Sequence, residues 1–126
     1  MIHALVADDD VVSCKIVSSV LSTMDCEVTE VCNGSAALAC LRTQQFDLCI
    51  LDWEMPELSG LQVCESVRTG SVPSPPYLIL LTSNYGSDFV HMAECAGADE
   101  YMAKPVDSEN LRNRVLSLKA ALSPAL

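Results

Sequence analysis

The hydrophobic pattern of the chain alternates between two kinds of segment. Short runs are apolar at most positions, and longer segments place apolar residues three or four apart, which is the spacing of one helix face. The short runs predict strands over residues 2–7, 27–31, 47–51, 77–81 and 99–102. The longer segments predict helices over residues 12–24, 36–41, 60–67, 89–96 and 111–122.

Residues with strong turn or capping preferences mark the ends of these segments. Asp10 is expected to cap the first helix, and Gly97 is expected to end the fourth. Asn33 and Gly34 predict a turn. The glycine and the three prolines within residues 69–76 predict a loop.

Five β/α units in this order predict the fold class. Strands that are apolar throughout need cover on both faces, so the expected architecture is α/β, a doubly wound five-stranded parallel sheet with five helices. In such sheets the carboxyl ends of the strands meet at one edge, where binding sites form. We therefore expect the ends of the first, third, fourth and fifth strands at one crevice.

Length and composition narrow the class of protein. The chain has 126 residues, half of them hydrophobic, which fits one domain over residues 1–122 and a tail or linker at 123–126. The formal net charge of −10 argues against nucleic-acid binding. No apolar run has the length of a membrane span and no signal peptide is visible, so a cytoplasmic location without a membrane is expected. The chain is either a stand-alone protein or a domain of a longer one, for which Ser123-Pro124 would suit the boundary.

The cysteines indicate packing rather than chemistry. There are seven, an odd number, and none forms a CxxC pair. The two histidines, His3 and His91, are too far apart in sequence to suggest a zinc site. Cysteine among apolar residues behaves as a small hydrophobe, so reduced thiols in or near the core of a cytosolic protein are expected.

Polar side chains follow four of the five predicted strands. In chain order they are Asp8, Asp9, Asp10, Asp52, Thr82, Ser83 and Lys104. Carboxylates, a hydroxyl and an amine at one edge suit the binding of a divalent cation and a phosphoryl group. The carboxylates of Asp8, Asp9 and Asp52 carry three negative charges against the one positive charge of Lys104. One Mg²⁺ would cancel the remainder.

In their order and spacing, these residues make the chain resemble the response-regulator receiver domains of two-component signalling, and chemotaxis-regulator-like ones in particular. The resemblance extends from Ile2 to about Leu122. It depends on the following residues: Asp8-Asp9, Leu51-Asp52-Trp53-Glu54-Met55-Pro56, Gly60, Thr82-Ser83 and Lys104-Pro105. It implies the flavodoxin-like (βα)5 receiver fold and a phosphoacceptor switch, not an enzyme that acts on an external substrate.

The resemblance also implies a phosphoacceptor and a metal site. Asp52 would accept the phosphoryl group from a sensor histidine kinase or a histidine phosphotransfer protein. Asp9 and Asp52 would bind Mg²⁺, or Mn²⁺, directly. Asp8 would contribute through a bound water, and the main-chain carbonyl of Glu54 would complete the protein ligands.

Further roles are implied around the phosphoryl group. Thr82 and the amide of Ser83 would bind its oxygens, and Lys104 would pair with it, oriented by a cis bond to Pro105. Tyr101 would be the switch aromatic that moves when Thr82 is drawn inward. The two states would alter a surface on the fourth helix, fifth strand and fifth helix. That surface would bind a downstream protein, a covalently linked output domain or a second copy in a homodimer.

Glu54 and Asn84 are expected to modulate the rate of hydrolysis, because each lies two residues past a site residue and would flank the path of the attacking water. An acid at Glu54 favours a fairly long-lived phosphoryl state. Two other functions share part of this pattern. A phosphatase resembling the haloacid dehalogenase family fits Asp8-x-Asp10, but the cap domain and a second acidic pair after the lysine are missing from the sequence. A degenerate receiver that only binds partners disagrees with the complete set of key residues.

Overall fold

Strands and helices alternate along the described chain. The structure is a computed structural model, and it describes residues 1–84 and 86–122. The strands are β1 (Ile2–Ala7), β2 (Cys26–Val31), β3 (Leu48–Asp52), β4 (Tyr77–Thr82) and β5 (Glu100–Ala103). The helices are α1 (Val11–Ser22), α2 (Gly34–Thr43), α3 (Gly60–Ser66), α4 (Ser87–Ala96) and α5 (Ser108–Leu122). The tail at 123–126, with Ser123-Pro124, lies outside the described residues, so the division into domain and tail stays a prediction.

The strands form one parallel sheet in the order β2-β1-β3-β4-β5. This arrangement confirms the predicted fold class. The register aligns the strand ends, since Asp52 is level with Leu81 and Thr82 is level with Ala103. The carboxyl ends of β1, β3, β4 and β5 therefore share one edge of the sheet, as the doubly wound topology requires.

Alternate residues of the central strand pack into different layers of the core. Leu48 and Ile50 belong to the layer built with α1 and α5, whereas Cys49 and Leu51 belong to the layer built with α2, α3 and α4. Every residue of β3 is buried. Full burial of one leucine or isoleucine side chain contributes about 2 kcal/mol. β3 is thus fixed from both faces, and its last residue, Asp52, has a fixed position.

Four helices begin before their predicted first residue, and the residues added at the start of α2, α4 and α5 are glycine or polar and lie outside the apolar stripe that predicted these helices. α1 begins at Val11, one residue before its predicted start. The predicted turn at Asn33-Gly34 is wrong: α2 begins at Gly34, and Asn33 is its N-cap. Asn33 Oδ1 accepts a hydrogen bond from the Ala36 amide at 2.7 Å. α4 begins at Ser87 rather than at residue 89, and α5 begins at Ser108 rather than at 111.

The predicted loop at 69–76 is wrong in its first residues. A π-helical turn, Val67–Ser71, continues α3. The hydroxyls of Thr69 and Ser71 donate hydrogen bonds to the Ser66 carbonyl at 3.0 and 2.6 Å. These bonds satisfy an oxygen near the end of α3 that the regular helix would leave without a partner. The loop that the prolines predict begins only after Ser71.

The remaining cap predictions are confirmed. Asp10 Oδ1 accepts a hydrogen bond from the Val12 amide at 3.1 Å, and Gly97 ends α4 in the left-handed conformation with φ 92°. The strands differ from their predicted ranges by one residue at β2, β3, β4 and β5. Within residues 1–84 and 86–122, none of the helices is long and apolar enough to cross a membrane.

All seven cysteines are free thiols, but they are less buried than the sequence predicted. The buried ones are Cys14, Cys49 and Cys64. The half-buried ones are Cys26 and Cys40, and the exposed ones are Cys32 and Cys95. Burial raises the pKa of Cys64 to about 12 and that of Cys49 well above its usual value. These two thiols act as core residues, whereas Cys32 and Cys95 do not.

Gly34 provides a test of how closely α2 approaches the loop after β3. A Cβ at this position would overlap the carbonyl group of Leu58. Helix propensity alone predicts that Gly34→Ala would stabilise α2 by up to about 1 kcal/mol. Overlap with a backbone atom costs about 3 kcal/mol in a packed region. We predict that the overlap dominates and that Gly34→Ala lowers the free energy of unfolding by about 2 kcal/mol in urea denaturation.

Gly70→Ala is the matched control. No atom lies within 4 Å of a Cβ added at Gly70, and only its φ of 92° opposes a side chain. The expected loss is about 1 kcal/mol, from the left-handed conformation alone. A Gly34→Ala protein as stable as the wild type would show that the Leu58 backbone moves aside at little cost.

Candidate functional site

Four of the sequence-predicted site residues lie at the carboxyl edge of the sheet. Asp8 directly follows β1, Asp52 ends β3, Thr82 ends β4 and Lys104 directly follows β5. The Lys104 amide donates a hydrogen bond to the Thr82 carbonyl at 2.8 Å, which keeps the ends of β4 and β5 level. The pairing of the strands therefore fixes the backbone position from which each of these side chains extends.

The chain turns sharply after Asp52, and Gly60 permits that turn. The Trp53 amide donates to the Leu81 carbonyl at 2.8 Å, and the Trp53 carbonyl accepts from the Gly60 amide at 2.9 Å. A Cβ on Gly60 would overlap the Asp52 carbonyl oxygen. Only glycine lets α3 begin this close to the end of β3, so Gly60 fixes the backbone on which Asp52 is held.

Three carboxylates converge at this edge. Asp8, Asp9 and Asp52 each offer an oxygen, and these oxygens lie within 4.8 Å of one another. Asp8 and Asp52 are buried, whereas Asp9 is exposed. Asp8 Oδ1 accepts a hydrogen bond from the Asp10 amide at 2.9 Å, which fixes the orientation of the Asp8 carboxylate. The pocket is therefore open to solvent on the side of Asp9.

Lys104 places the compensating charge between two of the carboxylates. Its Nζ lies 3.0 Å from Asp8 Oδ2 and 3.3 Å from Asp52 Oδ1. Burial lowers the pKa of Lys104, but the hydrogen bond to Asp8 and the charges of Asp52 and Asp8 outweigh it, so the pKa is raised overall. Lys104 therefore keeps its proton in this pocket. The peptide bond from Lys104 to Pro105 is cis.

Asp52 is the residue whose ionisation the site perturbs most clearly. Burial raises the pKa of Asp52 to about 7, and the neighbouring negative charge of Asp8 adds to the rise. The ammonium of Lys104 acts in the opposite direction without cancelling these effects. A second positive charge in the pocket would lower the pKa of Asp52 again and favour the carboxylate.

The donor set fits a hard divalent cation. Asp8 Oδ2 is buried and lies outside hydrogen-bond geometry to any group in the described part of the chain, although Lys104 Nζ is near. A buried carboxylate oxygen without a hydrogen bond is costly unless a cation compensates it. Together with Asp9 and Asp52, it offers the oxygen ligands that Mg²⁺ prefers while leaving room for water.

Thr82 and Ser83 differ in exposure. Thr82 is buried at the end of β4, and its Oγ1 accepts a hydrogen bond from the Asn84 amide at 3.0 Å. Among residues 1–84 and 86–122, the Thr82 hydroxyl donates to no other group and makes no hydrogen bond to Asp52. Ser83 is exposed. The Thr82 proton is thus available for an acceptor in the pocket.

A chain of hydrogen bonds joins the predicted switch aromatic to the two predicted modulators. The Tyr101 hydroxyl donates to the Asn84 carbonyl, and Asn84 Nδ2 donates to Glu54 Oε1 at 3.3 Å. Trp53 makes edge-to-face contacts with Tyr101 and Phe89, with ring centroids 6.4 and 5.6 Å apart. Sequence reasoning named Tyr101, Asn84 and Glu54 separately but missed these contacts. It also missed Phe89, for which no sequence signal exists beyond an aromatic residue near the start of α4.

Comparison with known proteins gives one family. The family model described as the response regulator receiver domain matches residues 4–116. The transcriptional regulatory protein ZraR of Klebsiella oxytoca is 34% identical over 122 residues, which cover 97% of this chain and 26% of that protein. The chain spans half or less of the length of the curated relatives that it matches.

Solved structures of isolated receiver domains match the chain along its length. The receiver domain of the Francisella response regulator 1452 has a TM-score of 0.88 and 25% identity, covering 98% of this chain and 100% of that one. The BeF3-activated receiver domain of DrrB, from Thermotoga maritima, has a TM-score of 0.85 and 29% identity, covering 95% and 98%.

The pKa of Asp52 gives a pH-dependent prediction for the metal-free protein. The folded state holds the Asp52 proton more tightly than the unfolded state, because the pKa is raised from 3.8 to about 7. This contribution to stability is lost as the pH rises through that interval. We predict that Asp52→Asn stabilises the protein relative to the wild type. The difference in unfolding free energy should grow from near zero at about pH 4 to about 2 kcal/mol at about pH 8.

The measurement is urea unfolding in EDTA at several pH values. Glu65→Gln, which changes an exposed acid of α3, is the control and should leave the free energy of unfolding within about 0.5 kcal/mol of the wild type. Addition of Mg²⁺ should stabilise the wild type more than Asp52→Asn, by mass action. A stability difference that is independent of pH would mean that Asp52 is not the perturbed group.

Proposed function

The chain belongs to the response regulator receiver domain family, and we propose that Asp52 is the residue on which it accepts the phosphoryl group. Receiver domains are the phosphoacceptors of two-component signalling. The observation that carries the assignment is the position of Asp52, which ends the fully buried strand β3 and lies 3.3 Å from Lys104 Nζ. The same carboxylate is next to Asp8 and Asp9 in the acidic cluster.

In the proposed reaction Asp52 acts as the nucleophile. One carboxylate oxygen of Asp52 forms a bond to phosphorus while the bond from phosphorus to the histidine nitrogen of the donor breaks. The imidazole leaves and takes up a proton, and Asp52 becomes an acyl phosphate. The fixed position of β3 orients the nucleophile, and Lys104 keeps its proton to pair with the transferred group. Phosphoryl transfer depends chiefly on such positioning and charge stabilisation.

Asp8, Asp9, Asp52 and the main-chain carbonyl of Glu54 are the proposed ligands of Mg²⁺ or Mn²⁺. The support is the cluster of three carboxylates and the buried Asp8 oxygen that lacks a hydrogen bond within the described ranges. When bound, the ion would supply the positive charge that offsets the phosphoryl oxygens and keeps Asp52 ionised. The carboxylates themselves hold that charge beside the nucleophile.

Thr82 and the Ser83 amide are the proposed partners of the phosphoryl oxygens. Thr82 has a proton to donate, because its Oγ1 accepts a hydrogen bond from the Asn84 amide and donates to no group in the described part of the chain. A shift of Thr82 toward Asp52 would pull on Asn84, whose carbonyl binds the Tyr101 hydroxyl. Tyr101 lies in β5, beside α4, so its movement would alter the surface formed by α4, β5 and α5.

The proposed partners follow from this switch. The phosphoryl donor is a sensor histidine kinase or a histidine phosphotransfer protein. The surface formed by α4, β5 and α5 binds a downstream protein, a linked output domain or a second copy of the chain. The net charge of −10 opposes direct nucleic-acid binding by this domain. The proposed location is the cytoplasm. Autophosphorylation from small phosphodonors and autodephosphorylation are part of the same proposal.

The phosphatase alternative loses its main support in the structure. Its sequence motif needs Asp8 and Asp10 to act together. Asp10 instead caps α1, accepting hydrogen bonds from the Val12 amide at 3.1 Å and the Ser13 hydroxyl at 3.0 Å. The hydrogen bond to Ser13 lowers the pKa of Asp10, as does the bond from Val12. The Asp10 carboxylate is thus engaged at the exposed start of α1 and is not part of the cluster of Asp8, Asp9 and Asp52.

We predict that the protein gains one phosphoryl group when it is incubated with acetyl phosphate and Mg²⁺. Intact mass measures the gain. Asp52→Asn should show none, since the nucleophile is gone, and EDTA should abolish the gain in the wild type. Glu65→Gln is the control and should be phosphorylated like the wild type. Equal labelling of Asp52→Asn and the wild type would overturn the assignment of Asp52.

We predict a slow loss of the phosphoryl group, controlled by Glu54 and Asn84. The hydrogen bond between their side chains holds a carboxylate at the rim of the pocket, where it would repel or displace an attacking water. Glu54→Ala should speed dephosphorylation at least about threefold, equivalent to roughly 0.7 kcal/mol of barrier. The decay of the phosphorylated mass after removal of the donor gives the rate.

A double-mutant cycle tests whether the two residues act together. Asn84→Ala alone should also speed the decay, because Glu54 is then no longer held. In the Glu54→Ala background the same change should have little further effect. Glu65→Ala provides the control for loss of an exposed carboxylate. Unchanged decay in Glu54→Ala would rule out this explanation of the lifetime.

A further inference from the structure

The outer face of α4 carries a thiol and an imidazole in contact. His91 and Cys95 are four residues apart, which places their side chains on the same face of the helix. Cys95 Sγ lies 3.5 Å from His91 Nε2, and both residues are exposed. Neither residue belongs to the acidic cluster. From the sequence, the two histidines are too far apart to suggest a zinc site, and the pairing of His91 with Cys95 is not predicted.

The separation of the two atoms matches a known coordination geometry. A tetrahedral zinc ion binds thiolate sulfur at about 2.3 Å and imidazole nitrogen at about 2.0–2.1 Å, which puts the two ligand atoms about 3.5 Å apart. The observed distance between Sγ and Nε2 is 3.5 Å. The separation of the two atoms therefore already equals that of two ligands on one zinc ion.

We propose that His91 Nε2 and Cys95 Sγ form a two-ligand site for a soft cation of the zinc class on the exposed face of α4. The thiol gives its proton to solvent when the metal–sulfur bond forms, and the imidazole binds as the neutral tautomer with its proton on Nδ1. The two remaining tetrahedral positions are left to water or to donors from outside this chain. This site is independent of the proposed phosphoacceptor function.

The α4 site differs from the acidic site in the chemistry of its ligands. The only group of three or more metal-ligating side chains in residues 1–84 and 86–122 is Asp8, Asp9 and Asp52. Those hard carboxylate oxygens suit Mg²⁺, whereas a thiolate with an imidazole selects softer ions. Mg²⁺ at millimolar concentration should therefore leave the α4 site free for a soft ion.

The chain offers an internal control for the cysteine. Cys32 is the other exposed thiol. The second histidine, His3, is engaged elsewhere, with Nδ1 3.6 Å from Glu27 Oε2. A cation that merely reacts with exposed thiols would treat Cys32 and Cys95 alike. A cation held by the pair would depend on Cys95 and His91 and not on Cys32.

The test is a Co²⁺ titration of the reduced full chain in excess Mg²⁺, followed by absorption. A thiolate-to-cobalt charge-transfer band in the near ultraviolet should appear and should be removed by Zn²⁺. Cys95→Ser should abolish the band, and His91→Gln should weaken the affinity at least about tenfold, since the chelate is lost. Cys32→Ser should leave the band unchanged. All three substituted positions are exposed, and far-ultraviolet circular dichroism checks the fold of each variant.

Three results would overturn the proposal. The first is the absence of a thiolate band in the wild type. The second is a band that persists in Cys95→Ser or disappears in Cys32→Ser. The third is an affinity that does not change in His91→Gln, which would assign the cobalt to a thiol alone.

Discussion

An excess of negative charge at the end of a hydrophobic sheet is the constraint on which the functional edge depends. Asp8 and Asp52 are buried beside the exposed Asp9, and the single ammonium of Lys104 lies between the two buried carboxylates. One positive charge does not compensate three negative ones, and burial together with the negative charge of Asp8 raises the pKa of Asp52 to about 7. The site is thus in a state that a further cation would relieve, and cation binding and ionisation of Asp52 are linked through the same electrostatic term.

The hydrophobic core holds these charges close together and offsets the unfavourable free energy of their repulsion and burial. β3 is buried along its whole length and belongs to both layers of the core, so Asp52 cannot withdraw from its neighbours without disturbing both. Gly60 extends this restriction to the backbone, because α3 begins against the Asp52 carbonyl. The hydrophobic packing of leucine and isoleucine side chains, at about 2 kcal/mol each, greatly exceeds the electrostatic penalty at the edge. The buried apolar residues of β3 therefore stabilise the fold, whereas the unfavourable electrostatics are confined to its last residue, Asp52.

The sequence predicts the position of a side chain best where that side chain lies at the end of a strand. It predicts contacts between loops least well. An apolar run that ends in Asp52 or Thr82 predicts the position of that side chain, because the strand ladder determines it. Capping residues such as Asn33 lie outside the apolar pattern, so the start of α2 was predicted too late. The contact between Asn84 and Glu54 joins two loops, and their relative position depends on tertiary packing that no local pattern encodes.

Asn84 connects three features that sequence reasoning treated as separate. Its amide donates to the Thr82 hydroxyl, its carbonyl accepts from Tyr101 and its side chain donates to Glu54. A displacement of Thr82 must therefore stretch or move bonds at the aromatic ring and at the rim carboxylate together, since all three originate from one residue. In a receiver, the contact with Tyr101 that responds to phosphorylation and the contact with Glu54 that limits hydrolysis would then both depend on Asn84. The lifetime of the phosphorylated state and the position of Tyr101 would not be independent properties of this chain, because Asn84 contacts Tyr101 through its carbonyl and Glu54 through its side chain.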